Sequence, residues 1–286
     1  IYIKCEKGYL KILKIKYDNE IYNAIDFLKH NDRFDNNMTD FLYENIYIKK
    51  DNFIKDKIIP IKKEKNKNVL VVVAHPDDEV YGCGGFLYKL SKNGYNVNVL
   101  ILTEGCSTQY NDSKLIDVKK QESMKVKEIL NIKNYYYGDL PDMKLDTFSE
   151  VEITKIISKY IDQLNPYLIL THSKYDLNID HTSIHKSVLV AARPQSNVKK
   201  IMTFEVLSTT ELNTIPFHPN KFIDISDCIE HKINAVNVYK SELRKYPHGR
   251  NARAVKALAS YRGVSSNFNY AEAFKIIKDY SMEEFN

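Results

Sequence analysis

The chain has 286 residues, longer than a typical single domain, so one sizeable domain plus a smaller appendage fits it better than one compact unit. Hydrophobic residues make up 43% and charged residues 28%, which excludes a disordered chain, and no apolar run approaches the roughly 18 residues that a bilayer crossing needs. The net charge of +5 is spread over 42 basic and 37 acidic residues without a basic stripe, so nucleic acid is not expected as a partner.

Residues 1–66 read as a small β-rich appendage and linker: β-type alternation over 9–16, a short helical patch over 24–28, Asp- and Asn-rich turns, then a Lys-rich stretch over 61–68. The first residues carry neither an initiator Met nor a signal-peptide apolar region, as expected of a piece cut from a longer protein. The stretches Gly8-Tyr-Leu-Lys-Ile-Leu-Lys-Ile and Ala24-Ile-Asp-Phe-Leu resemble the end of the small C-terminal β-domain of formyltransferases.

Residues 67–286 read as one α/β domain. Val69-Leu-Val-Val-Val is a β-branched run of the kind buried on both faces of a parallel sheet. A helix is predicted over 78–92 with a stop at Asn93-Gly94, followed by a second buried strand over 97–103, and together these make a βαβ unit. The alternation continues with a helix over 117–130, a strand over 135–137, a helix over 150–164 and a strand over 167–171. A helix over 182–192, β-like stretches over 201–206 and 222–225, and helices over 226–243 and 252–261 complete the domain. The cysteines Cys5, Cys83, Cys106 and Cys228 are widely spread and form no Cys-x-x-Cys pair, which argues against a thiolate zinc site or a dense disulfide framework and makes a reducing cytoplasm the default expectation.

Ala74-His75-Pro76-Asp77-Asp78-Glu79 falls where the first core strand ends and its helix begins, the edge at which open α/β sheets place their ligands. His75 and Asp78 flank a turn fixed by Pro76 and can reach one cation, while Asp77 between them must point elsewhere and is left for proton transfer. Zinc suits N and O ligands, and a catalytic zinc takes three protein ligands plus water. The third ligand is expected from the segment His172-Ser-Lys-Tyr-Asp176-Leu-Asn178-Ile-Asp180-His181, which reaches the same edge, and His181 is the candidate; His172 reads as a loop histidine. The bland alternative for His75-Pro-Asp-Asp is a turn with helix-capping carboxylates. Two such turns, each directly after a core strand, favour the metal.

These two motifs resemble those of the LmbE or PIG-L family of zinc-dependent sugar de-N-acetylases, and the resemblance covers 69–286. Ala192-Arg-Pro194, Phe204-Glu-Val-Leu-Ser-Thr-Thr-Glu211, Tyr246-Pro-His248 and Ala271-Glu-Ala-Phe274 support it. It implies a Rossmann-like, doubly wound, mostly parallel sheet. It also implies Zn²⁺ on His75, Asp78 and His181, Asp77 as general base, and a small-molecule N-acetyl amino sugar or sugar conjugate as substrate; a homo-oligomer is compatible with it. Many members carry His at the position of Asn178, and Asn can donate a hydrogen bond to an oxyanion but cannot deliver a proton. Many also carry Arg where this chain has Lys119, which turns a bidentate contact into a point charge.

The amine-protonating acid is then expected to be Asp77 itself or His248, if the loop Tyr-Pro-His-Gly-Arg250 folds over the site. Asp180 is expected either to orient His181 from behind or to cap the helix. Lys119, Arg193 and Arg250 are expected substrate contacts. Hydrolysis of another sugar-linked amide and a catalytically weakened metal-binding module remain open beside de-N-acetylation. A dinucleotide fold is disfavoured, because Gly82-Cys-Gly84-Gly85 falls inside the predicted helix and the turn before it is acidic.

Overall fold

The computed structural model describes strand backbone within 2–23 and at 46–47, and residues 67–107, 114–193 and 196–280 in full. The expected helical patch over 24–28, most of the expected linker and Pro194 lie outside the described residues. Contacts divide the chain into two units, Ile1–Lys65 and Asn66–Asn286.

In the first unit, β1 (Tyr2–Cys5) pairs antiparallel with β2 (Gly8–Lys11), and β3 (Lys14–Tyr17) pairs antiparallel with both β4 (Glu20–Asn23) and β5 (Ile46–Tyr47). The alternation expected over 9–16 is thus divided between two strands.

The second unit is built on a seven-stranded mixed sheet. Its strands are β6 (Asn68–Val73), β7 (Asn96–Thr103), β8 (Asn134–Leu140), β9 (Leu168–His172), β10 (Lys200–Phe204), β11 (Lys221–Asp224) and β12 (Ala271–Asp279). They lie in the order β11-β12-β10-β9-β6-β7-β8. β10 through β8 run parallel, and β12 is antiparallel to both β10 and β11. Six α-helices stand among the described residues: α1 (Asp78–Lys92), α2 (Lys114–Leu130), α3 (Glu150–Leu164), α4 (Ile179–Ala191), α5 (Ile229–Val236) and α6 (Ala252–Val264).

Successive side chains of a strand point to opposite faces, so the unbroken apolar run of β6 serves two cores. Val69, Val71 and Val73 pack with α1, α2, α5 and α6, while Leu70 and Val72 pack with α3 and α4. The result is the doubly wound, three-layer arrangement.

The predicted helix over 226–243 proves shorter: α5 stops at Val236, and the following irregular segment buries Tyr239 and Glu242. β12 was not anticipated as a strand, because Ala271-Glu-Ala-Phe274 interrupts its apolar character with a glutamate. That glutamate has a structural use. α1 is broken at Cys83 (φ −144°, ψ 16°), and the backbone N–H groups of Gly85 and Phe86 donate to the Glu272 carboxylate at 2.9 and 2.7 Å. Lys232 of α5 closes the arrangement at 2.5 Å from Glu272. Gly82 and Gly85 of α1 are packing residues, as a Cβ would lie 2.2 Å from the Phe204 ring at the first and 2.9 Å from Ile225 at the second.

Candidate metal centre and cleft

At the end of β6 the chain turns through Pro76 and enters α1. Asp77 takes a left-handed backbone (φ 118°, ψ −26°) that residues with a Cβ adopt at a cost. The turn is tied by the His75 N–H donating to Asp78 Oδ2 at 2.8 Å. Asp77, Asp78 and Glu79 are fully buried.

β9 ends nearby in His172, followed by the turn that starts α4. α4 begins at Ile179, earlier than predicted, because Asn178 is its N-cap: Oδ1 accepts from the N–H groups of Asp180 and His181 at 2.9 and 3.4 Å. His181 therefore sits in the first turn of α4. His172, expected in a loop, is the last residue of β9; its ring stacks on His181 (centroids 3.8 Å apart), and its Nε2 accepts from the Ala74 N–H at 3.0 Å.

Three ligand atoms converge. His75 Nδ1 lies 3.2 Å from Asp78 Oδ2, His181 Nε2 lies 3.3 Å from Asp78 Oδ2, and the two ring nitrogens are 3.3 Å apart. Ligands at about 2.0–2.2 Å from a four-coordinate cation stand about 3.3–3.6 Å apart, so this triangle has the right size to hold a metal. The far nitrogens both face carboxylates. His75 Nε2 meets Asp180 Oδ2 and Asp142 Oδ1, each at 3.1 Å, and His181 Nδ1 lies 3.2 Å from Asp176 Oδ1. Carboxylates only accept, so the protons belong on those nitrogens and the facing nitrogens present lone pairs toward Asp78. Lone pairs and a carboxylate converging in a buried site call for a cation.

Asp180 thus stands behind His75 and not behind His181, and it does not cap α4. It also accepts from the backbone N–H groups of Met143 and Leu145 at 2.7 and 3.0 Å. Asp176 takes the place expected of Asp180, and is itself held by the Thr210 hydroxyl at 2.5 Å.

Beside the triangle opens a cleft lined by His75, Asp77, Lys119, Asp142, Asn178 and Arg250, among others. Arg250, expected on substrate, pairs through Nη1 with Asp77 Oδ2 and stands 3.5 Å from Glu242. Lys119 is buried, donating to the Gly105 carbonyl and to Glu242 Oε1 at 2.7 Å, so its charge is spent inside the protein. His248 is exposed, and its Nδ1 accepts from the Arg250 N–H at 3.1 Å, a placement that does not fit the proton donor expected of it. Arg193 is also exposed, and its Nε donates to the Val190 carbonyl at the end of the preceding helix α4, not to the cleft. Asn178 points Nδ2 at Met143 Sδ, 3.4 Å away, along the cleft wall.

The charge environment is uneven. Burial pushes Asp77 up to about 8 despite the pull of Arg250, and burial pushes Glu79 up to about 7 despite its tyrosine partners. Burial works against the charged form of Asp78 too, yet the imidazoles of His181 and His172 hold it well below the usual carboxylate range. His75 is raised well above an ordinary imidazole, since the hydrogen bonds of Asp142, Asp180 and Asp78 outweigh its burial.

Asp142 and Glu242 escaped the sequence reading. Asp142 follows a strand at the same sheet edge, a signal that could have found it; Glu242 lay inside a predicted helix and offered none.

An α/β sheet bearing a buried His-Asp-His triangle at the carboxyl end of its strands, beside a cleft with an aspartate, defines a class of metal-binding α/β domain. Residues 70–192 match the PIG-L family, described as GlcNAc-PI de-N-acetylase. The match begins at residue 70 and lends no support to the formyltransferase resemblance of the N-terminal segment. A diacetylchitobiose deacetylase of Thermococcus kodakarensis is 28% identical over 74% of this chain and 83% of its own length. A probable N-acetyl-alpha-D-glucosaminyl L-malate deacetylase 2 of Bacillus cereus is 25% identical over 62% of this chain and 84% of its own length. The fold is that of N,N'-diacetylchitobiose deacetylase from Pyrococcus horikoshii, with a TM-score of 0.63, 22% identity, and coverage of 75% of this chain and 85% of that one. None of the helices among the described residues is long and apolar enough to cross a membrane.

Proposed function

We propose that this protein removes the acetyl group from an N-acetylated amino sugar or sugar conjugate, with zinc held by His75 Nδ1, Asp78 and His181 Nε2. The observation that carries the reading is the triangle of three buried ligand atoms 3.2–3.3 Å apart, with both far imidazole nitrogens facing carboxylates. Bound there, zinc would supply an acidified water and polarise the amide carbonyl. Asp77 is the proton carrier: its Oδ1 is buried beside the triangle without a hydrogen-bond partner and lines the cleft. Arg250 fixes Oδ2 of the same carboxylate. Asn178 Nδ2 supplies a neutral donor for the developing oxyanion, and with His248 turned away Asp77 also returns the proton to the leaving amine. In this reading the deacetylase domain spans 67–286 and 1–66 form a separate appendage. A reducing cytoplasm suits the buried thiols of Cys83 and Cys228.

One observation favours a second reading. The Arg250–Asp77 ion pair occupies the proton carrier, as it would in a metal-binding module that does not turn over. Metal analysis, with acetate release measured across nucleotide-linked, lipid-linked and free N-acetylhexosamines, separates the two. Asp77→Asn should retain one metal per chain and lose about 10²–10⁴-fold in turnover. Undiminished acetate release by that variant would remove Asp77 from the mechanism.

A further inference from the structure

Glu79 is fully buried in the first turn of α1, where an acidic residue serving only the helix dipole would stay in water. Its carboxylate has three donors from three elements. Oε1 accepts from the hydroxyls of Tyr135 on β8 and Tyr239 after α5, at 2.9 and 2.7 Å. Oε2 accepts from the backbone N–H of Asp77 at 3.1 Å. Tyr239 is braced in turn by Ser123 of α2, with the two hydroxyls 3.1 Å apart.

Asp77 is where the backbone departs furthest from ordinary geometry around the metal triangle, with φ at 118°. Such a conformation persists in a residue with a Cβ only when the surroundings over-determine it. From the front the Asp77 side chain is held by Arg250; from behind, its peptide is held by Glu79.

We propose that Glu79, anchored by Tyr135 and Tyr239, is a positioning residue that clamps the Asp77 peptide in its left-handed conformation and so aims the Asp77 carboxyl into the cleft. This rests on the reading of Asp77 as proton carrier. The clamp is independent of the metal ligands, because it grips the N–H of Asp77 and not the Asp78 carboxylate.

The test compares the holoprotein with two variants. In Glu79→Leu combined with Tyr135→Phe and Tyr239→Phe, acceptor and donors leave together, and the Ser123 hydroxyl that braced Tyr239 keeps the Lys119 carbonyl at 3.0 Å. This variant should lose at least tenfold in kcat, keep KM within twofold, and retain full metal. Glu79→Gln still offers an amide oxygen to the Asp77 N–H and should recover most of the kcat. If the triple variant does not fold, Tyr135→Phe with Tyr239→Phe, which frees the carboxylate to drift, should show a smaller loss of the same kind. Exchange of the Asp77 amide proton, read by NMR, should be slow in the wild type and in Glu79→Gln and faster in the triple or double Phe variant. A wild-type kcat in the triple or double Phe variant, a kcat loss there that only tracks lost metal, or unchanged exchange at Asp77 in that variant would each overturn the clamp. Absence of acetate release from the wild type would instead remove the deacetylase reading, leaving the exchange measurement to decide the clamp.

Discussion

A Cβ on Gly82 would collide with the aromatic ring of Phe204, fully buried at the end of β10. Gly82→Ala should therefore cost about 1–3 kcal/mol through overpacking, read as a lower urea midpoint at unchanged slope. Asn178 has two separable duties at its two side-chain atoms, since Oδ1 caps α4 and Nδ2 faces the cleft. Asn178→Asp keeps the capping oxygen and should hold its stability while losing about 10²-fold in turnover; Asn178→Ala should lose about 1 kcal/mol as well. Equal stability of the two variants would show that the cap contributes nothing. The candidate metal residues were legible because His75, Asp78 and His181 are chemically distinctive types placed in the turns and helix starts that follow apolar strands. Their carboxylate partners were harder to assign: Asp180 adjoins His181 in sequence but meets His75 in space, because a helical first turn sends neighbouring side chains in different directions. Charged residues on the late loops look alike in sequence, so nothing there separates Arg250, which lines the cleft, from Arg193 and His248, which do not.

Among the elements, strands buried on both faces and the helices between them announced themselves by composition. α3 runs over the predicted 150–164, with Ser149 and Glu152 forming its capping box. β12 and the early end of α5 did not, because each answers to a distant partner. The strand places Glu272 on the broken turn of α1, and the unwound segment after α5 brings Tyr239 under Glu79. Lys232 and Glu272 are 3% and 4% exposed, so Lys232→Met leaves a buried carboxylate without its cation, and a loss of about 3–5 kcal/mol is expected by denaturant titration. A loss below about 1 kcal/mol would mean that the two backbone donors satisfy Glu272 alone.

At the scale of the whole domain, the metal-free charges set opposing pH slopes. Asp78, Asp142 and Asp176 are held below 3.8, so their stabilisation is present above that pH and lost as the pH falls beneath it. Asp77 and Glu79, raised to about 8 and about 7, stay protonated in the native state where the unfolded chain has ionised, so their contribution falls as pH rises toward 8. The raised His75 and His181 likewise lose theirs above 6.5. Chelated protein should therefore melt highest near pH 4 and lose stability as the pH rises from there toward 8. Zinc at 100 times its Kd should add about 2.7 kcal/mol, reported by calorimetry, and should lift the curve most on the alkaline side, where protons compete least. A metal-free melting temperature that is flat from pH 5 to 8 would contradict this balance. The Glu272 contact also orders events during synthesis. The turn bearing Asp77 leaves the ribosome early, yet the helix behind it cannot settle until a residue 187 positions after Gly85 has emerged to cap its break. A nascent chain stalled before β12 is therefore expected to carry all three candidate metal ligands on a scaffold whose first helix still lacks the partner at its break.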